Sequence, residues 1–288
     1  MGEKAYNWIQ DIVQSLLSLL KVLIRSKFVY QNYSIDCSDL YILASGPSLK
    51  DVLKQHTDFL KSKDTLTVNG FSSSDFFEII KPKYYVFAAP ELWSESTTDD
   101  KKHIREAMIN NLIEKTTWPL VLFLPVGSLS NKSFLRRFAV NHNIKISFFN
   151  TTPVEGNKLL SYAMFKKGLG MPRPHNVLVP CLMIGIRNSV QRLHLFGVDH
   201  SWLPLLHVTE DNVALLKQEH FYDKDTAKAQ VMNNLGRERR TLHQILKKFY
   251  LSFKAYIEIE EYAISQNCKI YNYTQGSFID AFERRRLQ

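Results

Sequence analysis

Residues suited to acid–base chemistry are concentrated in two short segments of the second half of the chain. Gly197-Val198-Asp199-His200-Ser201-Trp202 closes an apolar run, and Glu219-His220-Phe221-Tyr222-Asp223 follows further along. Histidine titrates near neutral pH and can act as a general base, above all when a carboxylate orients it. A loop cap at Asp199 and partly buried packing of His220 and Tyr222 are the structural alternatives. We predict that Asp199, His200, His220 and Tyr222 contribute to an active site.

A tight turn in the first half of the chain is the second candidate. Residues 39–44 (DLYILA) run into Ser45-Gly46-Pro47-Ser48, after which residues 49–60 have helical spacing. Glycine permits a sharp turn, and proline fits the first turn of a helix at no cost in hydrogen bonds. Backbone amides and serine hydroxyls at a helix amino terminus can bind an anion, although a plain helix cap explains the serines equally well. Neither a P-loop nor a dinucleotide fingerprint is present.

Short apolar runs must position both candidates. Alternation of such runs with helical stretches is typical of an α/β domain with a mostly parallel, Rossmann-like sheet flanked by helices. Because ligands bind beyond the carboxyl ends of parallel strands, we expect Asn69 and Ala89, which follow two of the runs, to lie near Ser45 and Asp199. The runs are residues 39–44, 65–68, 84–88, 120–124, 144–149 and 192–196.

Composition excludes several classes of protein. The 288 residues are 45% hydrophobic and 23% charged, which excludes disordered and fibrous chains. Three cysteines without a CxxC pair argue against a disulfide scaffold or a zinc site, and indicate reduced thiols in the cytoplasm. A net charge of +9 favours anionic partners, but no nucleic-acid-binding motif is present and we expect no nucleic-acid partner.

An amphipathic helix is predicted at the amino terminus. Apolar residues recur every three or four positions over residues 8–28, while Asp11, Lys21 and Arg25 make the segment a poor membrane span. Two interpretations remain open: a structural arm that packs on the domain, and a helix that lies in an anionic membrane interface. We expect an arm over residues 1–30 and a single domain over residues 38–288.

The carboxyl-terminal third is predicted to be mainly helical. Residues 226–266 are charge-rich with helical spacing, residues 268–271 (CKIY) form a last strand, and residues 278–286 form a final helix. Basic clusters at residues 237–240 (RERR) and 284–286 (RRR) are either solvated helix faces or contacts to phosphate or lipid headgroups.

The ordered set of these motifs resembles a known group of enzymes. The Gly-Pro-Ser-Leu turn, Thr67-Val68-Asn69, residues 87–90 and Leu195-Phe196-Gly197-Val198-Asp199 look like the bacterial sialyltransferases of glycosyltransferase family 42. The later segments, through residues 270–277 (IYNYTQGS), are most similar to the wider group related to 6-hydroxymethylpterin pyrophosphokinase. The resemblance covers about residues 38–282 and implies a GT-A-like variant of the Rossmann-like fold.

The resemblance implies roles for individual residues. Ser45, Gly46, Pro47 and Ser48 would contact a nucleotide, Asn69 its ribose or phosphate, and His220 would take the proton of the acceptor hydroxyl. The sialyltransferases have asparagine where this chain has Ser45 and Ala89, and a tyrosine where it has Ser201. Tyr222 would replace that tyrosine, and Asp223 would lie in the substrate site.

We therefore predict a bacterial glycosyltransferase that uses a nucleotide-activated sugar, with a CMP-linked acidic sugar such as sialic acid or Kdo as the expected donor. The acceptor would be a surface glycan or a lipid-linked precursor, reached from the cytoplasm with the enzyme peripheral on the inner membrane. No metal or other cofactor is expected. The alternatives are a pyrophosphokinase-like phosphotransferase that uses ATP and Mg²⁺, held by Asp199 and Asp223, and a non-catalytic membrane-associated scaffold.

Overall fold

Apolar runs bounded by turn residues become the strands of one large sheet. A computed structural model of the chain describes residues 2–28, 34–93, 99–217, 220–222, 228–234 and 238–287. Strand β2 is buried at every position, as expected where helices cover both faces of a parallel sheet. The strands are β1 (Asp39–Leu43), β2 (Thr65–Val68), β3 (Tyr84–Val86), β4 (Leu120–Pro125), β5 (Ile144–Phe149), β6 (Arg192–Phe196), β7 (Leu206–Val208), β8 (Ala214–Lys217), β9 (Ala229–Val231), β10 (Asn233–Asn234), β11 (Glu238–Arg239), β12 (Lys269–Asn272) and β13 (Glu283–Arg284).

The large sheet is parallel throughout, with the strand order β13-β12-β6-β1-β2-β3-β4-β5. The chain builds outward from β1 through β5 and then returns to place β6 on the other side of β1. The predicted α/β, Rossmann-like class is therefore confirmed. The strand order reverses at β1, and helices α2 (Leu49–Lys61) and α8 (Leu242–Ser265), which follow β1 and β6, lie on opposite faces of the sheet. A crevice is expected at the carboxyl edge of such a switch point.

Helices cover both faces of this sheet. One apolar cluster contains residues of α2 to α5, and a second contains residues of α1 and α6 to α8. Both are continuous with the sheet, so the two layers bury its opposite sides. The helices are α1 (Gly2–Arg25), α2 (Leu49–Lys61), α3 (Phe76–Ile80), α4 (Asp99–Lys115), α5 (Lys132–Phe138), α6 (Lys158–Lys166), α7 (Leu178–Arg187) and α8 (Leu242–Ser265).

Of two helical predictions in the carboxyl-terminal third, one is wrong only over its first part, and the other is wrong throughout. Strand β9 pairs antiparallel with β8, and the short β10–β11 hairpin precedes α8, so the helix begins at Leu242 and not near residue 226. The final segment, predicted as a helix over residues 278–286, adds β13 to the sheet edge. Ile279 and Phe282 are buried there, and the Arg284 guanidinium donates to the carbonyl of Ser277. Tertiary packing outweighs the local helical pattern in both places.

Helix α1 packs on the domain mainly through its polar side, and Val22 adds a buried apolar contact. The Ser18 hydroxyl donates to the carbonyl oxygen of Glu155 at 2.9 Å and accepts from the Glu155 amide at 2.9 Å. The Ser15 hydroxyl accepts from the Asn157 amide at 2.9 Å. The apolar side of α1 therefore faces away from the domain, with exposed Trp8, Ile9, Val13, Leu16, Leu20, Leu23 and Ile24. No helix in the described ranges has the length and apolar character needed to cross a membrane.

Candidate active site

The crevice at the carboxyl edge of the sheet opens into a cleft of about 1160 Å³. The loops after β1, β2, β3 and β6 form one wall, and the segment before α7 contributes to another. Of the residues predicted for the site, Ser45, Gly46, Pro47, Asn69, Ala89, Asp199, His200 and His220 line this cleft. Topology thus brings together most of a set that is scattered over 176 positions of sequence, from Ser45 to His220.

The turn after β1 is locked to the loop after β6. The Gly46 amide donates to the Gly197 carbonyl at 2.8 Å. A side chain at Gly46 would place its Cβ 1.9 Å from Oδ2 of Asp199 and 2.5 Å from the Gly197 oxygen. Only glycine fits here, because the two loops approach each other backbone to backbone.

Asp199 occupies the amino end of α2. Its Oδ1 accepts from the Ser48 amide at 3.2 Å, and its Oδ2 accepts from the Ser48 hydroxyl at 2.8 Å. Burial raises the pKa of Asp199, although the bonds to Ser48 oppose that shift. The carboxylate therefore caps the helix whose amides were predicted to bind an anion. A role for Asp199 in catalysis stays a prediction.

His200 is held in the cleft by α8. The residue has a left-handed backbone with φ 50°, and its Nε2 lies 2.6 Å from the Tyr256 hydroxyl. Since the Tyr256 hydroxyl accepts from the side-chain NH₂ group of Asn176 at 2.7 Å, its own proton points to Nε2 of His200. Burial lowers the pKa of His200 to about 3. The ring is neutral at physiological pH and a poor base, and it packs 4.3 Å from the Trp202 ring.

Asn69 is presented from the end of β2 by a strained backbone. Its φ of 48° lies in the left-handed region, where asparagine is among the tolerated residues. The buried Tyr85 hydroxyl donates to the Asn69 carbonyl and accepts from the Ser72 amide at 2.9 Å. These two hydrogen bonds of the buried Tyr85 hydroxyl hold the turn after β2 in place. Asn69 lines the cleft at this turn.

His220 reaches the same place through its neighbours. The Phe221 amide donates to the Ser45 carbonyl at 3.1 Å, and the buried Phe221 ring lies 5.5 Å from that of Phe71. The Tyr222 ring stacks on the His220 ring, with centroids 5.1 Å apart and planes 3° apart. Residues 220–222 are thus docked on the turn after β1.

Chain comparisons give little beyond this geometry. No protein-family model and no curated protein matches the chain. Among solved structures it is similar to the MAf glycosyltransferase from Magnetospirillum magneticum AMB-1, at 13% sequence identity and a TM-score of 0.47. The match covers 91% of this chain and 35% of that one, so this chain spans about a third of that glycosyltransferase's length. A likeness this distant carries no information on activity or substrate.

Three of the predicted residues do not line the cleft or cannot be placed. Ser48 lies behind the turn, bonded to Asp199, and Tyr222 backs His220. Asp223 lies outside the described residues. In the described part of the chain, no three histidine, cysteine, aspartate or glutamate side chains come together as metal ligands.

Part of the cleft is lined by residues that were not predicted from the sequence. Arg173, His175 and Asn176 line the cleft just before α7, and Lys217 adds a cation from β8. Arg173 is paired with Glu155 through two bonds, of 3.1 and 2.6 Å. The segment Pro172-Arg173-Pro174-His175-Asn176 carried a signal, since polar residues there closely precede a helix that is apolar up to its last residue, Arg187.

Proposed function

We propose that the protein is a glycosyltransferase that moves a sugar from a nucleotide-activated donor to a glycan acceptor. One observation carries the proposal: the backbone contact from Phe221 to Ser45 sets His220 beside the turn at the switch point of the sheet. Nucleotides bind at such switch points. A histidine next to a nucleotide site, in a cleft with room for two substrates, suits transfer to a hydroxyl group.

The donor would lie across the loops after β1, β2 and β3. Ser45 and Gly46 would contact the nucleotide through backbone and hydroxyl groups, Asn69 would bind its ribose or phosphate, and Ala89 would border the sugar. Asp199 would act by holding the Ser48 end of the turn. A donor with a single phosphate, such as a CMP-linked acidic sugar, places one phosphate charge beside this carboxylate, whereas a nucleoside diphosphate sugar places two.

Chemistry would be a displacement at the anomeric carbon. His220 would remove the proton of the acceptor hydroxyl, whose oxygen forms a bond to the anomeric carbon as the bond from that carbon to the phosphate oxygen breaks. The nucleoside phosphate leaves with the electron pair. General base catalysis of this kind contributes about 10²–10⁴ in rate. Tyr222, stacked against His220, would keep the imidazole plane in position.

His220→Ala tests this assignment, with His207→Ala as the matched control. His207 is an exposed histidine on β7 and does not line the cleft. We expect His220→Ala to lower donor turnover by about 10²–10⁴ while CMP still raises the melting temperature, and His207→Ala to behave as wild type. Near-normal turnover in His220→Ala would contradict the proposal.

A nucleotide panel separates the alternatives. A thermal shift with CMP that does not depend on metal supports a CMP-sugar donor. A shift with ATP only when Mg²⁺ is present would favour phosphotransfer, and no shift with any nucleotide would favour a scaffold.

We also propose that α1 docks the enzyme on an anionic membrane surface. Leu16 is 62% exposed and Leu23 81% exposed, although both belong to an apolar helix face. Trp8 lies near one end of that face, where an amphipathic aromatic ring suits a lipid interface. At the other end, exposed Lys166 and Lys167 closely precede Leu169, whose carbonyl accepts from Ser26 after α1.

The paired substitution Leu16→Asp and Leu23→Asp tests the docking surface, with Val140→Asp as control. Val140 is 73% exposed but lies after α5, away from α1. Burying one leucine in lipid contributes roughly 1.5–3 kcal/mol, so the double variant should bind vesicles containing phosphatidylglycerol at least about tenfold more weakly. A wild-type protein that dimerises through α1 and ignores vesicles would overturn this docking.

A further inference from the structure

A small basic pocket lies beside the main cleft. Its volume is about 200 Å³, and among the described residues four cationic side chains and one carboxylate, that of Glu238, line it. The cations are Arg239, Arg240, Lys247 and Lys248. They come from the β10–β11 hairpin and from the start of α8, whose amino end adds the positive end of a helix dipole.

His175 connects this pocket to the main cleft. The residue lines both cavities. Its Nε2 is buried and has no hydrogen-bond partner among the described residues. Buried polar atoms are nearly always paired, and one without a protein partner indicates a missing water or ion.

Lys248 is the second group that points to a bound anion. It is partly buried on α8 and forms no ion pair with any described residue. Burial lowers the pKa of Lys248, and the charge of Arg240 lowers it further, while Glu91 on the cleft rim raises it. Burial lowers the pKa of His175 to about 4, and the charges of Lys248, Arg173 and Arg240 act in the same direction. Like charges held together in a partly desolvated place favour an anion between them.

We propose that this pocket binds a phosphate or diphosphate group carried by the acceptor. Because it joins the cleft at His175, an acceptor anchored there extends its hydroxyl toward His220 on the wall formed by the turn after β1. The identity of the anchored molecule as an acceptor rests on the proposed glycosyl transfer, whereas binding of the anion does not. The shared chemistry is a phosphate ester, found both in lipid-linked diphosphates and in free sugar phosphates.

Calorimetric titration with inorganic pyrophosphate tests the pocket directly. We compare the wild type with Lys248→Ala, and with Lys254→Ala as the matched control. Lys254 lies on the same helix, paired with Glu258 at 3.6 Å and outside the pocket. The expected result is binding that weakens at least about tenfold in Lys248→Ala and not in Lys254→Ala, since a charge-assisted contact is lost. Melting temperatures confirm that both variants fold.

Two outcomes overturn the proposal. One is no binding of pyrophosphate by the wild type, and the other is binding that CMP displaces and Lys248→Ala leaves unchanged, which would place the anion at the nucleotide turn. If Lys248→Ala loses pyrophosphate binding but no donor is turned over, the pocket stands and glycosyl transfer fails. Transfer assays with a lipid-linked diphosphate and with a soluble sugar phosphate then identify the source of the phosphate.

Discussion

At the level of single residues, Asp199 and His200 are adjacent in sequence but serve different contacts. Asp199 bonds to Ser48 on the turn after β1, whereas His200 bonds to Tyr256 on α8. Both were predicted as catalytic residues on their type and position at a strand end. Their hydrogen bonds favour positioning roles, while a catalytic role for either residue stays a prediction. In the proposed glycosyl transfer, His220 is the base.

Asp199→Asn distinguishes positioning from chemistry. Asparagine is isosteric, so its oxygen still accepts from the Ser48 amide while its NH₂ donates to the Ser48 hydroxyl. We expect an unchanged fold, retained turnover and several-fold tighter nucleotide binding, because a negative charge beside the phosphate is removed. Isothermal titration with CMP and a turnover assay measure these effects.

Asp199→Ala provides the comparison for that variant. Loss of both bonds leaves the half-buried Ser48 amide without its partner, which costs at most about 1–3 kcal/mol. A large drop in turnover for Asp199→Asn with donor binding intact would instead assign Asp199 to the reaction itself.

At the level of elements, the cleft depends on loops that hold one another. Residues 220–222 lie on the turns after β1 and β2 through Phe221 and Tyr222. A Cβ at Gly70 would lie 2.8 Å from Cζ of Tyr222, so the tyrosine ring covers this glycine closely. The position of His220 is therefore set from β2 as well as from its own segment.

Gly70→Ala should slow the reaction without unfolding the protein. The new methyl group pushes the Tyr222 ring away, and the His220 ring stacked on it moves too. Misplacement by about 1 Å can cost up to about 10²-fold in rate, so we expect a lower kcat with little change in donor KM or melting temperature. Steady-state kinetics test this expectation.

Gly127→Ala is the matched control, because Gly127 also lines the cleft but a Cβ there meets no atom within 4 Å. Equal kcat values for both variants and the wild type would show that the stack does not position His220.

At the level of the whole molecule, the neutral His200 connects α8 to the cleft through its contact with Tyr256. The pKa of His200 is lowered to about 3 by burial, from an ordinary value of 6.5. The unfolded chain binds a proton at this residue below about pH 6.5, while the folded protein does not. His200 therefore contributes stability above that pH, which is lost as the pH falls toward the folded pKa.

His200→Asn should reduce the loss of stability in acid. One histidine changes the free energy of unfolding by at most about 1.4 kcal/mol per pH unit. Glu260 opposes it, since burial raises the pKa of that carboxyl to about 7. The difference between variant and wild type therefore reports the histidine. Melting temperatures from pH 7.5 to pH 4.5 measure it, and parallel profiles would refute the linkage.

Patterns along the chain were enough to predict most of the local elements. Apolar period and turn residues correctly placed β2, β5 and β6, and the amphipathic pattern gave α1, because these signals act over a few residues. The polar turn Ser45–Ser48 and the strand-end residues could likewise be named in advance as neighbours at one edge.

The contacts between these elements follow from the tertiary structure and not from the local patterns. Closing long loops puts Asp199 on Ser48, docks Phe221 on Ser45 and places β13 at the edge of the sheet. Serines on α1 bond to Glu155 and Asn157 and leave its apolar side outward, which reverses the usual orientation of a surface helix. Such contacts depend on pairings between distant residues, and a pattern along the chain does not contain them.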